Sequence, residues 1–140
     1  MSTPSKPVEL VQVDGWPRPK GYANGAIATG RTLHVAGQVG WTPAGVFEQK
    51  DFPGQFDQAL SNVVAVVRAA GATPEHIVYM RIFVTDLDAY RNNLSAVGAA
   101  WRTHLGRHFP AMALVGVAGL VERDALVEIE AVAALGEATS

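Results

Sequence analysis

The segment from Pro53 to Gly106 constrains the fold most, because it alternates two amphipathic helical patterns with one apolar strand. In its first part, six apolar residues recur at helical spacing and share one face: Phe56, Leu60, Val63, Val64, Val67 and Ala70. In its last part, the same spacing follows Asp86, which is a candidate cap: Tyr90, Leu94, Val97, Trp101 and Leu105. Between them, "HIVYMRIFVTD" is rich in β-branched and aromatic residues, as strands are. The segment therefore predicts helix, strand, helix.

Strands are predicted on both sides of this segment. "YANGAIATG" and "RTLHVAGQV" form two short strands that we expect to pair as a hairpin at Gly30-Arg31. "PAMALVGV" and "ALVEIEAVAAL" complete the chain. The order β-β-α-β-α-β-β predicts an α+β two-layer domain, with both helices on one face of a single sheet. We predict a leader and connector over residues 1–20, one domain over 21–135 and a tail over 136–140.

Composition excludes several classes of protein. The 140 residues contain no cysteine, so a disulfide framework, a thiolate nucleophile and a cysteine-based metal site are excluded. Eleven Lys and Arg residues are scattered among thirteen Asp and Glu residues, and the lack of a basic stripe argues against nucleic acid as a partner. The N-terminus has no apolar signal sequence, which predicts a cytoplasmic protein without a membrane partner. A hydrophobic content of 49% exceeds what one small core needs and indicates a subunit interface.

Most residues that could carry chemistry have a simpler interpretation. His104 and His108 are four residues apart, but Gly106 lies between them and no glutamate follows His104, so we predict no metal site. "GYANG" is interpreted as a turn, since no helix or Lys-Ser/Thr pair follows it as in a phosphate loop. No bound cofactor is expected. The aromatic residues are core or interface residues unless they line a cleft: Tyr22, Trp41, Tyr90 and Trp101.

Two carboxylates stand within the apolar last strand. In "ALVEIEAVA", Glu128 and Glu130 alternate with apolar residues and therefore share the face opposite to Val127 and Ile129. Carboxylates in such a strand are unfavourable unless they face water, a partner or a functional site. Two alternatives follow. Either they lie on a solvated or salt-bridged face of the sheet, or one of them lines a cleft as an acid.

Several blocks of this sequence resemble the RidA superfamily, also called the YjgF family. They are "GYANG", "LHVAGQV", "AGATPEHIVYMRIFVTDLDAY", "FPAMALVGV" and "ALVEIEAVAAL", and they extend over nearly the whole chain with fitting spacing. The best-studied members are small trimers that hydrolyse reactive enamines and imines. The resemblance implies a chorismate-mutase-like α+β fold. It also implies a homotrimer whose sheets close into a central barrel, with three ligand clefts between neighbouring subunits.

The resemblance assigns the catalytic roles to two residues. The cleft tyrosine of the family corresponds to Tyr22, and its acidic residue, which positions or activates water, corresponds to Glu128. The glycine that follows the second strand corresponds to Gly37. Tyr90 is a further aromatic residue that we expect to contact the ligand.

The remaining cleft positions depart from the family. Ala36 stands where active deaminases have a serine, and Met112 stands where the "PAR" motif has the arginine that pairs with the substrate carboxylate. Leu114 replaces a small residue or cysteine. A thioether can replace the volume of an arginine but not its bidentate hydrogen bonds. The sequence therefore predicts an apolar pocket that does not recognise 2-imino acids in the ordinary way.

Two functions stay open at this point. The first is a cofactor-independent hydrolytic deaminase of a small enamine or imine, in which Glu128 handles the proton and Tyr22 orients the substrate. The second is a non-catalytic trimer whose clefts bind a metabolite. Arg81, on the face of Tyr79 and Phe83, is the candidate replacement cation if a cleft holds its partner, and is otherwise paired at the surface. Arg107 and Arg123, in loops near strand ends, are less constrained alternatives.

Overall fold

The computed structural model describes residues 6–137, so the first five residues of the predicted leader and the last three of the tail lie outside the described residues. Residues 6–137 form six strands, three α-helices and one 3-10 turn. In chain order they are β1 (Val8–Val11), β2 (Gly25–Ala28), β3 (Arg31–Val39), α1 (Phe52–Ala69), the 3-10 turn (Pro74–His76), β4 (Ile77–Val84), α2 (Leu87–Arg91), α3 (Leu94–Leu105), β5 (Ala111–Gly116) and β6 (Val127–Gly136).

The main sheet has four strands in the order β3-β6-β4-β5. Strand β6 pairs antiparallel with both β3 and β4, whereas β4 and β5 are parallel. The parallel pair needs a crossover, which α2 and α3 supply. The predicted α+β class is confirmed, with a mixed sheet.

Alternation in β6 separates the two faces of this sheet. Val127, Ile129 and Ala131 are at most 4% exposed and pack against the helices, on what we call the helix face. Glu128 and Glu130 are half-buried and point to the opposite side, which we call the open face. The predicted sidedness of the last strand is therefore correct.

The predicted hairpin at Gly30-Arg31 does not form. Strand β2 pairs instead with β1, a strand that the sequence pattern did not reveal, in a separate two-stranded sheet. Gly30 has a φ of +86°, and a Cβ atom there would collide with the backbone of Gly136 at the end of β6. The chain therefore turns at Gly30 to carry β3 into the main sheet, where it pairs with β6 rather than with β2.

The predicted second helix is divided into α2 and α3. Asp86 caps α2 as expected, because its carboxylate accepts hydrogen bonds from the backbone of Asp88 and Ala89. The side chain of Asn93 then donates to the Ala89 carbonyl oxygen at 2.6 Å and α3 begins at the next residue. A short amide side chain that bonds to the backbone in this way competes with regular helical hydrogen bonds. The helix is interrupted there for that reason.

A side chain of helix α1 is hydrogen-bonded to the segment just before β6. Gln55 is 1% exposed, and its amide donates to the carbonyl oxygens of Gln49 and Asp124 at 3.2 and 2.9 Å. Its side-chain oxygen accepts from the backbone N–H of Leu126 at 2.8 Å. Because Leu126 comes immediately before β6, these hydrogen bonds of Gln55 hold the start of the strand that carries Glu128. No helix in the described part of the chain is long and apolar enough to cross a membrane.

Candidate functional site

The connector before β2 is attached to the start of β5. The backbone N–H of Ala23 donates to the Pro110 carbonyl oxygen at 3.0 Å, and Ala23 forms a parallel bridge with Ala111. Tyr22 is the residue immediately before this bridge, and 44% of its surface is exposed. The backbone therefore holds Tyr22 beside the "FPAM" segment.

An apolar cavity of about 350 Å³ lies at this point, between the helix face and the helices α2 and α3. We call it the Tyr22 pocket. It is lined by Lys20, Gly21, Tyr22, Phe56, Ile82, Tyr90, Leu94, Val97, Gly98, Trp101, Phe109, Met112 and Leu114. Four of the residues predicted for the site therefore lie together: Tyr22, Tyr90, Met112 and Leu114.

Strand register explains why Met112 and Leu114 enter this pocket. In the parallel pairing with β4, Met112 lies beside Met80 and Leu114 lies beside Ile82. Both β4 residues belong to the core and are at most 2% exposed. Residues that are direct neighbours in a sheet point to the same face, so Met112 and Leu114 point to the helix face.

One wall of the pocket is held by two aromatic rings. The rings of Trp101 and Phe109 stack with their centroids 6.0 Å apart and an angle of 6° between their planes. Trp101 Nε1 donates to the His108 carbonyl oxygen at 2.9 Å, so the indole has no donor left for a ligand. The His108 ring is itself bonded to the Ile77 carbonyl oxygen at 2.7 Å. The wall is therefore rigid and apolar.

His104 and His108, which are four residues apart in the sequence, have different partners. His104 Nε2 lies 2.8 Å from the carboxylate of Asp57 on α1, whereas His108 is bonded to the backbone of Ile77. Among residues 6–137, no three His, Cys, Asp or Glu side chains are grouped so that they could hold a metal ion.

Glu128, Ala36 and Gly37 lie on the other side of the sheet. Glu128 pairs with Phe83 and points to the open face. Ala36 and Gly37 fall at a β-bulge, where the register of β3 against β6 shifts between Val35 and Gln38. Within one chain, the sheet separates these three residues from Met112 and Leu114. A cleft that combines both groups would need two copies of the chain.

Arg81 is paired at the surface of the open face. Its guanidinium lies 3.2 Å from the Glu130 carboxylate and 5.7 Å from the centre of the Tyr79 ring. Interaction with the Tyr79 side chain, and then the negative charge of Glu130, raise the pKa of Arg81. About half of the Arg81 side chain is exposed, and it does not line the Tyr22 pocket. Within one chain Arg81 is therefore paired with Glu130, and its role as a replacement cation stays a prediction.

Sequence reasoning missed two of the three cations beside the Tyr22 pocket, Arg18 and Lys20, and named the third, Arg107, only as a less constrained alternative to Arg81. Lys20 lines the pocket itself, and Arg18 and Arg107 line an adjoining groove. Two of these residues fall in the stretch that we interpreted as a connector, and the third falls in a loop. Their proximity depends on the bridge between Ala23 and Ala111, which no local pattern predicts. The only signal in the sequence was the charge of "RPK" just before Tyr22.

Comparison with known proteins gives consistent matches. A family model described as Endoribonuclease L-PSP matches residues 17–135. A RutC family protein from Synechocystis is 33% identical over 135 residues, which are 91% of this chain and 97% of that protein. The 2-iminobutanoate/2-iminopropanoate deaminase of the goat Capra hircus is 32% identical over 122 residues, 82% of this chain and 81% of the goat protein.

A crystal structure gives a further match. It is a protein of unknown function of the conserved Rid protein family from Yersinia pestis, with a TM-score of 0.82 and 32% identity. The match covers 93% of this chain and 100% of that one. The similarity in sequence therefore extends to the arrangement of strands and helices.

Proposed function

Because this chain belongs to the Endoribonuclease L-PSP family, the family of the RidA and YjgF proteins, we propose that it is a hydrolytic deaminase of a small imine or enamine. Its substrate has an apolar body that fills the Tyr22 pocket. We expect it to act in the cytoplasm, without a bound cofactor or metal.

The observation that carries the proposal is the position of Tyr22 at an apolar cavity of about 350 Å³. Met112 and Leu114 line the same cavity. A phenolic hydroxyl at the edge of an apolar pocket can orient the polar end of a small ligand whose apolar end is buried. Position 112 carries no charge, so a carboxylate buried beside it would be left without a partner.

The chemistry needs one water molecule and one acid-base group. Water adds to the imine carbon, the resulting carbinolamine loses ammonia, and a carbonyl compound remains. In our proposal the Glu128 carboxylate accepts the proton of the attacking water and returns it to the leaving nitrogen. The imine carbon is already electrophilic, so positioning of the water is the main contribution of the protein.

The proposal also requires more than one copy of the chain, and we propose a homotrimer. Tyr22 and Glu128 are on opposite sides of the sheet in one chain, so we propose that a neighbouring copy brings its Glu128 to the Tyr22 pocket. Half-buried residues of the open face, which include Tyr79, Phe83 and Val132, would be covered by this assembly. Obligate interfaces between identical chains are commonly apolar in this way.

An imine-trapping assay tests the proposed reaction. A flavin amine oxidase would generate a neutral imine from benzylamine, and an amino-acid oxidase would generate 2-iminopropanoate from alanine, each with semicarbazide present as the trap. We expect the protein to lower the initial rate at which the semicarbazone forms from the benzyl imine but not the rate at which it forms from 2-iminopropanoate. Glu128→Gln should remove the effect, and Glu122→Gln, an exposed loop residue, should keep it. If neither imine is consumed faster, the proposal is wrong.

A second candidate is a trimer that binds a metabolite without chemistry. The observation that favours it is the uncharged, apolar lining around Met112 and Leu114. This function predicts that benzyl compounds bind with equal affinity to the unmodified chain and to Glu128→Gln, while neither protein accelerates imine hydrolysis.

A further inference from the structure

A second cavity of about 340 Å³ adjoins the Tyr22 pocket. It shares Tyr22 and Phe109 with that pocket and is also lined by Arg18 and Arg107. We call it the rim groove. Lys20 lines the Tyr22 pocket, so three cations line the two cavities that share Tyr22.

Within one chain, no acidic side chain of the described residues forms an ion pair with these cations. No Asp or Glu of residues 6–137 lines either the Tyr22 pocket or the rim groove. The ion pairs of the described chain involve Arg81, Arg91 and His104, and none involves Arg18, Lys20 or Arg107. Clustered charges of one sign beside a cavity of low dielectric attract ions of the opposite sign. The rim groove is therefore suited to an anion.

The interior of the Tyr22 pocket has the opposite character. Its lining at Leu94, Val97, Met112 and Leu114 is apolar, and the Trp101 N–H is already bonded to the backbone. A charged group has no partner there, whereas an aromatic or branched apolar group removes its surface from water.

We propose that the two cavities together bind one small amphipathic carboxylate. Its apolar body occupies the Tyr22 pocket, and its carboxylate lies in the rim groove, where Arg18 and Arg107 offer bidentate hydrogen bonds and Lys20 adds a third charge. This inference rests on the proposed function, because it uses the same Tyr22 pocket. It narrows the substrate class of the proposed deaminase to amphipathic carboxylates. The carboxylate is recognised at the rim of the site and not at position 112.

Calorimetry with matched probes tests this arrangement. 3-Phenylpropanoate and 3-phenylpropanamide have the same apolar body and differ in charge, while acetate has the charge without the body. We expect the unmodified chain to bind 3-phenylpropanoate about tenfold or more tightly than either other compound, because charge-assisted hydrogen bonds are stronger than neutral ones. The preference should shrink as sodium chloride is raised, since the cations are at the surface.

Substitutions locate the carboxylate. Arg18→Gln and Arg107→Gln should each weaken binding of 3-phenylpropanoate towards that of the amide and leave binding of the amide unchanged. Arg31→Gln is the matched control, because Arg31 is exposed and lies on β3, the edge strand farthest from β5 in the main sheet. Circular dichroism melts would establish that each variant is folded.

Three results would overturn the inference: equal affinity for the carboxylate and the amide, equal losses in the Arg31 and Arg107 variants, or no binding of 3-phenylpropanoate. The outcome is separable from that of the proposed reaction, because calorimetry reads binding alone. A chain that prefers 3-phenylpropanoate but hydrolyses no imine supports the rim groove and contradicts the deaminase. A chain that hydrolyses imines without this preference does the reverse.

Discussion

The carboxylate of Glu128 lies directly over the backbone of Gly37. A Cβ atom at position 37 would be 2.8 Å from Glu128 Cδ and 3.1 Å from its Oε1. Gly37 has no positive φ, so its backbone does not require glycine. What requires glycine is the space that the Glu128 side chain occupies. The pair therefore fixes where a carboxylate stands on the open face.

Gly37→Ala should displace this carboxylate without unfolding the protein. The obstructing atoms belong to the end of a flexible side chain, so we expect the free energy of unfolding to fall by less than about 1 kcal/mol. Imine hydrolysis should fall about tenfold or more, because the proposed acid-base group is moved. Carbon NMR of Glu128 Cδ, a urea titration and the trapping assay measure the three effects. Gly119→Ala, where an added Cβ meets no atom within 4 Å, is the control.

The parts of the fold that could be predicted are those with a long local pattern. The helical spacing in α1 places Phe56, Leu60 and Val63 in the core, where each is at most 1% exposed. Strand β1 and its pairing with β2 could not be predicted, because each strand has four residues and their pairing is non-local. A four-residue alternation is too short to distinguish a strand from a connector.

The site could be predicted only in part, for a related reason. The resemblance identified Tyr22, Met112 and Leu114, and the structure places them in one pocket. Glu128 lies on the opposite face of the sheet from Met112 and Leu114. This arrangement depends on the register of β5 against β4 and on that of β6 against β4, and neither register can be read from the sequence of one strand. The roles of these residues stay predictions.

Met112→Arg should create an anion site at the cost of stability. The guanidinium would stand beside Leu114 and the core residue Met80, so we expect the free energy of unfolding to fall by roughly 1–3 kcal/mol. Acetate should stabilise the variant in thermal melts in a concentration-dependent manner, since it binds the folded state only. Met112→Leu, which conserves volume, should lose less than about 1.5 kcal/mol and respond to acetate no more than the unmodified chain does.

A double variant with Ala36→Ser and Met112→Arg tests the shared cleft. Ala36 is on the open face, so a serine there can contact an arginine at position 112 only across two copies of the chain. We expect the double variant to bind acetate more tightly than Met112→Arg alone. Equal affinity of the two variants would contradict a cleft that joins these positions.

The trimer itself is tested by mass. Light scattering should give about three times the 14.8 kDa of one chain. Val132→Lys places a charge on the open face and should shift the mass towards that of one chain, because an unpaired buried charge is unfavourable in an interface. Val121→Lys is the control, since Val121 is 96% exposed. A monomer for the unmodified chain would remove the proposal of a shared cleft.

Gln55→Leu should destabilise the fold through the start of β6. The substitution leaves the Leu126 N–H and the Asp124 carbonyl oxygen without their side-chain partner in the interior, and we expect the free energy of unfolding to fall by about 2–4 kcal/mol. Gln55→Glu keeps an acceptor for Leu126 but loses both donated bonds, so it should also destabilise. Urea titrations measure both effects against Gln12→Ala, an exposed residue of the connector. If the free energy of unfolding falls by less than about 1 kcal/mol in both Gln55 variants, water replaces the hydrogen bonds of Gln55 and β6 is positioned by its apolar face alone.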